Sequence, residues 1–125
     1  MAIKGIIPQL RTTDIQASVQ FYTDKLGFAL EFIYQDFYAG VSAGNQMIHL
    51  KLVDERDPSI AHVEDGGHLH LYIDVDGVAA FAAQLKSRGV QLVSEVEETA
   101  WGTREFIIHD DQGHTLYFGE PLGKA

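Results

Sequence analysis

The chain has 125 residues, 46% of them apolar and 22% charged, which places it with ordinary folded domains and suffices for one hydrophobic core. It contains no cysteine, so disulfides and thiolate chemistry are excluded. Eighteen acidic against nine basic side chains give a formal charge of -9. A field of that sign disfavours nucleic acid and anionic membranes and draws cationic ligands into any cleft it lines.

Taken in chain order, a strand is expected over residues 5–12. Asp14 then opens a helix whose apolar stripe is Ile15, Val19, Tyr22 and Leu26. Asp14 is placed to cap its first turn, and Gly27 stands at the C′ position, where a left-handed backbone costs least. Strands are expected next over 28–34, 37–42 and 46–53, with Ala43-Gly44-Asn45 as the turn before the third. The charged stretch 54–66, which contains Pro58, reads as a long loop.

The pattern then recurs. A strand over 68–74 precedes a helix with Asp76 at its cap, a stripe of Val78, Phe81, Ala82 and Leu85, and Gly89 at its end. Strands follow over 90–95, 103–109 and 115–119, the last two separated by Asp110-Asp111-Gln112-Gly113. Asp14 to Gly27 and Asp76 to Gly89 are helix units of the same length. The chain is therefore expected to be a single α+β domain, 1–125, made of paired βαβββ modules, 1–53 and 67–120, joined by the loop 54–66. Their strands are expected to form a curved, mostly antiparallel sheet around a concave cavity.

Strand alternation separates the faces. Ile48, Leu50 and Leu52 form one set and leave Met47, His49 and Lys51 on the other. Leu69, Leu71 and Ile73 oppose His68, His70 and Tyr72; Leu10 opposes Ile7, Gln9 and Arg11; Leu116 and Phe118 oppose Thr115 and Tyr117. With the leucines beneath the helices, the candidate ligand-binding cavity is lined by Gln9, Arg11, His49, His68, His70, Tyr72 and Tyr117, with Trp101 in the loop before the seventh strand. Neither Glu105 nor Glu120 is expected to aim into it, and His62, His109 and His114 are expected to be solvated.

Three segments resemble one family. LRTTDIQASVQFYTDKLGF at 10–28 resembles the first strand and helix of the vicinal oxygen chelate superfamily, which includes glyoxalase I, extradiol dioxygenases, fosfomycin-resistance enzymes and bleomycin-resistance proteins. GHLHLYIDVDGV at 67–78 and WGTREFIIHDDQGHTLYFGEP at 101–121 are similar to its middle and closing segments, most like the bleomycin-resistance branch. The resemblance implies four metal-ligand positions, which in this sequence are Ile7, His49, His68 and Tyr117. Two are ordinary ligands; isoleucine cannot bind metal, and a tyrosine phenol would have to lose a proton whose pKa is ~10.

What the resemblance implies is a metal-independent small-molecule-binding protein that sequesters a cationic aromatic antibiotic between aromatics such as Phe32, Tyr38, Tyr72, Trp101 and Tyr117. The alternative is a metal-dependent glyoxalase-like lyase or isomerase, or a dioxygenase, with a divalent metal at His49 and His68. No cofactor is otherwise expected, and no catalytic residue is assigned. The expected partners are a small molecule and a second copy of the chain, as a homodimer, with neither nucleic acid nor membrane. The start MAIKGII lacks the pattern of a secretion signal, and no apolar run approaches the ~20 residues of a membrane span, so a cytoplasmic protein is expected.

Overall fold

The computed structural model describes residues 1–123, which fall into two compact units, 1–58 and 59 onward. In the first, β1 (Gln9–Thr12) leads to α1 (Ile15–Gln20), then β2 (Ala29–Tyr34), β3 (Tyr38–Ala43) and β4 (Gln46–Leu52). The four strands form one sheet in the order β1-β4-β3-β2; β1 runs parallel to β4 and the other pairs are antiparallel. A parallel neighbour requires a crossover, and α1 supplies it.

Asp14 caps α1 as expected, its carboxylate accepting from the Ala17 amide at 3.0 Å. The helix continues as a π-helical turn, Phe21–Lys25, where the Leu26 amide reaches back five residues to Phe21 O at 3.2 Å. There the Thr23 hydroxyl donates to Val19 O at 2.9 Å, a side-chain bond that competes with the regular ladder. Gly27 ends the unit at φ 83°. The predicted stripe is the buried one: Ile15, Val19, Tyr22 and Leu26 all lie in the core, packed on the side of the sheet that holds Val41, Ile48 and Leu50.

The second unit opens with α2 (Pro58–Glu64), followed by β5 (Leu71–Asp74), α3 (Val78–Ser87), β6 (Leu92–Glu98), β7 (Thr103–His109) and β8 (Thr115–Pro121). Its sheet has the order β5-β8-β7-β6, again with one parallel pair, β5 with β8. The topology repeats that of the first unit, so the α+β class and the duplicated βαβββ pattern are both present. Val78, Ala82 and Leu85 are buried, and Phe81 rests on Phe118 and Phe106, at ring-centroid distances of 5.2 and 6.2 Å.

Several expectations are corrected. The stretch 54–66 is not all loop, because α2 forms within it and buries Ile60. Pro58 sits at the first helical position, where its missing N–H costs nothing. Asp76 does not cap α3. The Glu120 carboxylate does so from 42 residues away, accepting from the Val78 amide at 2.9 Å and the Gly77 amide at 3.0 Å. Strand β1 begins at Gln9 and β5 at Leu71, later than predicted; the pairing of β5 with β8 starts at Leu71 and Leu116, so His68, Leu69 and His70 lie outside the ladder. Leu50 and Leu116, on central strands, are buried, whereas Leu10 and Leu71, on edge strands covered from one side only, are half-buried. Among the described residues no helix is long and apolar enough to cross a membrane.

Candidate functional site

In the first unit the ladder sets Gln9 beside His49, His49 beside Gly40, and Gly40 beside Phe32, all on the face opposite α1. Gly40 has no side chain to fill its place, and the Phe32 ring lies over it where a Cβ would collide. Tyr38 stacks on Phe32, with centroids 6.2 Å apart and planes 18° apart. His49 stands edge-on to both rings, at 5.4 Å from Phe32 and 5.3 Å from Tyr38.

A polar chain runs through this aromatic group. Gln9 Nε2 donates to the Tyr38 hydroxyl at 3.1 Å, which is 2.9 Å from His49 Nδ1. Arg11, beside Lys51 in the register, shares the face. The β-bulge between Leu30 and Phe32 brings in Glu31, whose carboxylate accepts from Ser42 Oγ at 2.6 Å.

The second unit presents an equivalent face opposite α3. Its rows are Tyr72–Tyr117–Ile107 and Asp74–Gly119–Glu105. The Tyr72 hydroxyl donates to Glu105 Oε2 at 3.1 Å, and Thr103 Oγ1 donates to the same oxygen at 2.8 Å. Tyr72 crosses above Gly119, where a Cβ would strike its hydroxyl. The ring is about half exposed, but its hydroxyl tip is tucked down; burial, then the Glu105 hydrogen bond and negative charge, hold the phenol proton above its ordinary pKa. Tyr72 is therefore a donor at neutral pH.

The predicted residues thus fall into two sets, one per unit. Gln9, Arg11 and His49 share the first face; Tyr72 and Tyr117 share the second. His70 lies just ahead of β5 with its ring 5.0 Å from Tyr117, and His68 is 6.0 Å further on. His70 Nδ1 and Thr115 Oγ1 are buried and make no hydrogen bond among the described residues. Trp101 is 74% exposed in the turn between β6 and β7. His109 is not simply solvated, being half-buried with Nδ1 3.8 Å from the Glu64 carboxylate.

Glu105 was missed as a member of the second face. The signal was available, since Phe106 and Ile108 are wholly buried against α3 and alternation puts Glu105 and Ile107 on the other side. Glu120, by the same alternation, turns toward α3. At the positions that resemble family metal ligands, Ile7 is apolar and 45% exposed, and His49 has Nδ1 engaged with Tyr38. Among the described residues no three His, Cys, Asp or Glu side chains gather as a metal-binding group.

The chain and its fold have parallels among known proteins. Over 93% of its length the chain is 27% identical to a bleomycin resistance protein of Geobacillus stearothermophilus, 96% of which is matched. The crystal structure of the bleomycin-binding protein from Streptomyces verticillus complexed with copper(II)-bleomycin matches with a TM-score of 0.73 at 26% identity, covering 99% of each chain. A glyoxalase/bleomycin resistance protein/dioxygenase from Alicyclobacillus acidocaldarius shares the fold with a TM-score of 0.78 at 17% identity, over 94% of this chain and 91% of the other. The family model described as Glyoxalase/Bleomycin resistance protein/Dioxygenase superfamily matches residues 6–118, and the chain belongs to that superfamily.

Proposed function

We propose that this protein binds a small, planar, cationic organic molecule and sequesters it, as an antibiotic-binding member of the superfamily, without a resident metal. The observation that carries the reading is the stacked Phe32–Tyr38 pair with His49 edge-on, its Phe32 ring seated over Gly40 on the sheet face opposite α1. Aromatic faces of this kind hold flat ligands by stacking and attract positive charge through their quadrupoles, and a protein of charge -9 reinforces that preference. The likeness to bleomycin-binding relatives over nearly the whole chain supports the same ligand class.

The donor set does not suit the metal that enzymatic relatives carry. Isoleucine and tyrosine stand at two of the four positions. Isomerisation of the glyoxalase kind would also need a carboxylate beside the metal as base, and Tyr117 occupies that place. Self-association into a homodimer belongs to this reading. It is supported by the edge strand β2, where Leu30, Phe32, Ile33 and Tyr34 are all exposed.

The test is calorimetric titration with a panel of bleomycin-like cations and small 2-oxo acids. Binding of the cations that weakens with added salt is expected. Tight binding of the acids with none of the cations would sink sequestration.

A further inference from the structure

Glu105 is a half-buried carboxylate whose environment is incompletely neutralised. Its Oε2 accepts from two neutral hydroxyls, those of Tyr72 and Thr103, while no hydrogen bond to Oε1 occurs among the described residues. No basic side chain pairs with it there either. The adjacent Arg104 points to the opposite side of β7, toward Glu98 at 3.0 Å and Glu120 at 3.8 Å. Asp74, in the same row of the register, adds negative charge. Partial burial of a carboxylate without a counter-charge is unfavourable, so the position is primed for a cation from outside the chain.

Resting on the ligand class proposed above, we infer that Glu105 Oε1 is the recognition point for a protonated primary or secondary amine of the ligand, whose flat portion lies along Tyr72 and Tyr117. The form of the cation follows from the hydrogen-bond inventory. With Oε2 already accepting two bonds, the carboxylate has only one oxygen to offer, which fits an ammonium and not the two-oxygen fork of a guanidinium. Gly119 is the enabling residue, because any side chain there would displace the Tyr72 hydroxyl that orients the carboxylate.

The experiment uses the full chain and tryptamine as probe, with N-acetyltryptamine and indole-3-propionate as neutral and anionic counterparts. Calorimetry on the wild type is expected to rank tryptamine first, and Glu105→Gln to weaken tryptamine by about tenfold or more while leaving N-acetyltryptamine unchanged. Carbon-13 NMR of the glutamate carboxylates in the wild type reads the site without any variant: tryptamine should shift the Glu105 resonance. Equal affinity of wild type and Glu105→Gln for tryptamine, a silent Glu105 resonance, or preference for the neutral or anionic indole would overturn the assignment. Bleomycin titrated in parallel separates the two readings. Bleomycin binding with a silent Glu105 removes the ammonium site alone, whereas loss of bleomycin binding with an intact tryptamine response removes the antibiotic reading alone.

Discussion

The Tyr38 hydroxyl and His49 Nδ1 lie 2.9 Å apart, and Gln9 donates to the same hydroxyl from its other side. The phenol that accepts from the Gln9 amide still has its own proton to give to Nδ1, an arrangement in which the neutral His49 ring carries its hydrogen on Nε2. Nε2–H is then the atom His49 presents to a ligand. Tyr38→Phe should release this tautomer, visible as a change in the nitrogen-15 shifts of His49, and should weaken ligand binding by about 1–2 kcal/mol through loss of one oriented donor. Unchanged nitrogen shifts would show that Tyr38 does not set the tautomer.

Glu120 gives a prediction with a defined pH dependence. The amides of Val78 and Gly77 bond its charged form and lower its pKa below the ordinary carboxylate value. A lowered folded-state pKa means that the stabilisation is present above the unfolded pKa and is lost as pH falls through the folded one. Wild type should therefore melt above Glu120→Gln at neutral pH, and the gap should close in acid, below the usual range for glutamate. A gap in melting temperature that persists at low pH would contradict the role of the charged cap.

Gly40→Ala and Gly119→Ala test the two close approaches. Each new methyl meets a ring or hydroxyl already seated on the strand, Phe32 in one case and Tyr72 in the other. Phe32 is the less exposed of the two rings and is stacked on Tyr38, so Gly40→Ala should cost about 1–3 kcal/mol by overpacking. Tyr72 is half exposed and free to swing out, so Gly119→Ala should cost less in denaturant unfolding while still breaking the bond to Glu105. Equal losses at the two sites would mean that Tyr72 is more confined than its exposure indicates.

Purified protein should carry substoichiometric metal, and chelator should leave its melting temperature unchanged, because two histidines without further ligands contribute little folding energy. Elemental analysis showing about one Zn, Ni, Mn or Fe per chain held by His49 and His68 would reverse the metal-independent reading and favour an enzyme.

The parts of the fold legible in the sequence were those governed by local rules. Periodicity placed Ile15, Val19, Tyr22 and Leu26 in the core, and the Asp14 cap and Gly27 ending were where their chemistry put them. Alternation likewise separated His49 from Leu50 and Tyr117 from Leu116. What local rules missed depended on distant partners. Asp76 looked as good a cap as Asp14, but Glu120 reaches the amides of α3 from a strand 42 residues on, which no local pattern reveals. The His-Leu-His-Leu alternation of 68–71 reads as one strand, but pairing with β8 starts only at Leu71, so His68 and His70 lie outside the ladder. Glu105 was missed for a different reason: the alternation that exposes it was legible, but a carboxylate between Arg104 and buried phenylalanine reads most simply as surface charge until Tyr72 is seen to bond it.

The proposed function requires the aromatic faces to bind a planar cation with no metal from the protein. Its most direct measurement is NMR titration of chelator-treated protein with metal-free bleomycin, following the ring resonances of Phe32, Tyr38, His49, Tyr72 and Tyr117. Saturable shifts of these rings, weakened by added salt, are the predicted result. Rings that stay silent until a divalent metal is added to the protein would contradict it.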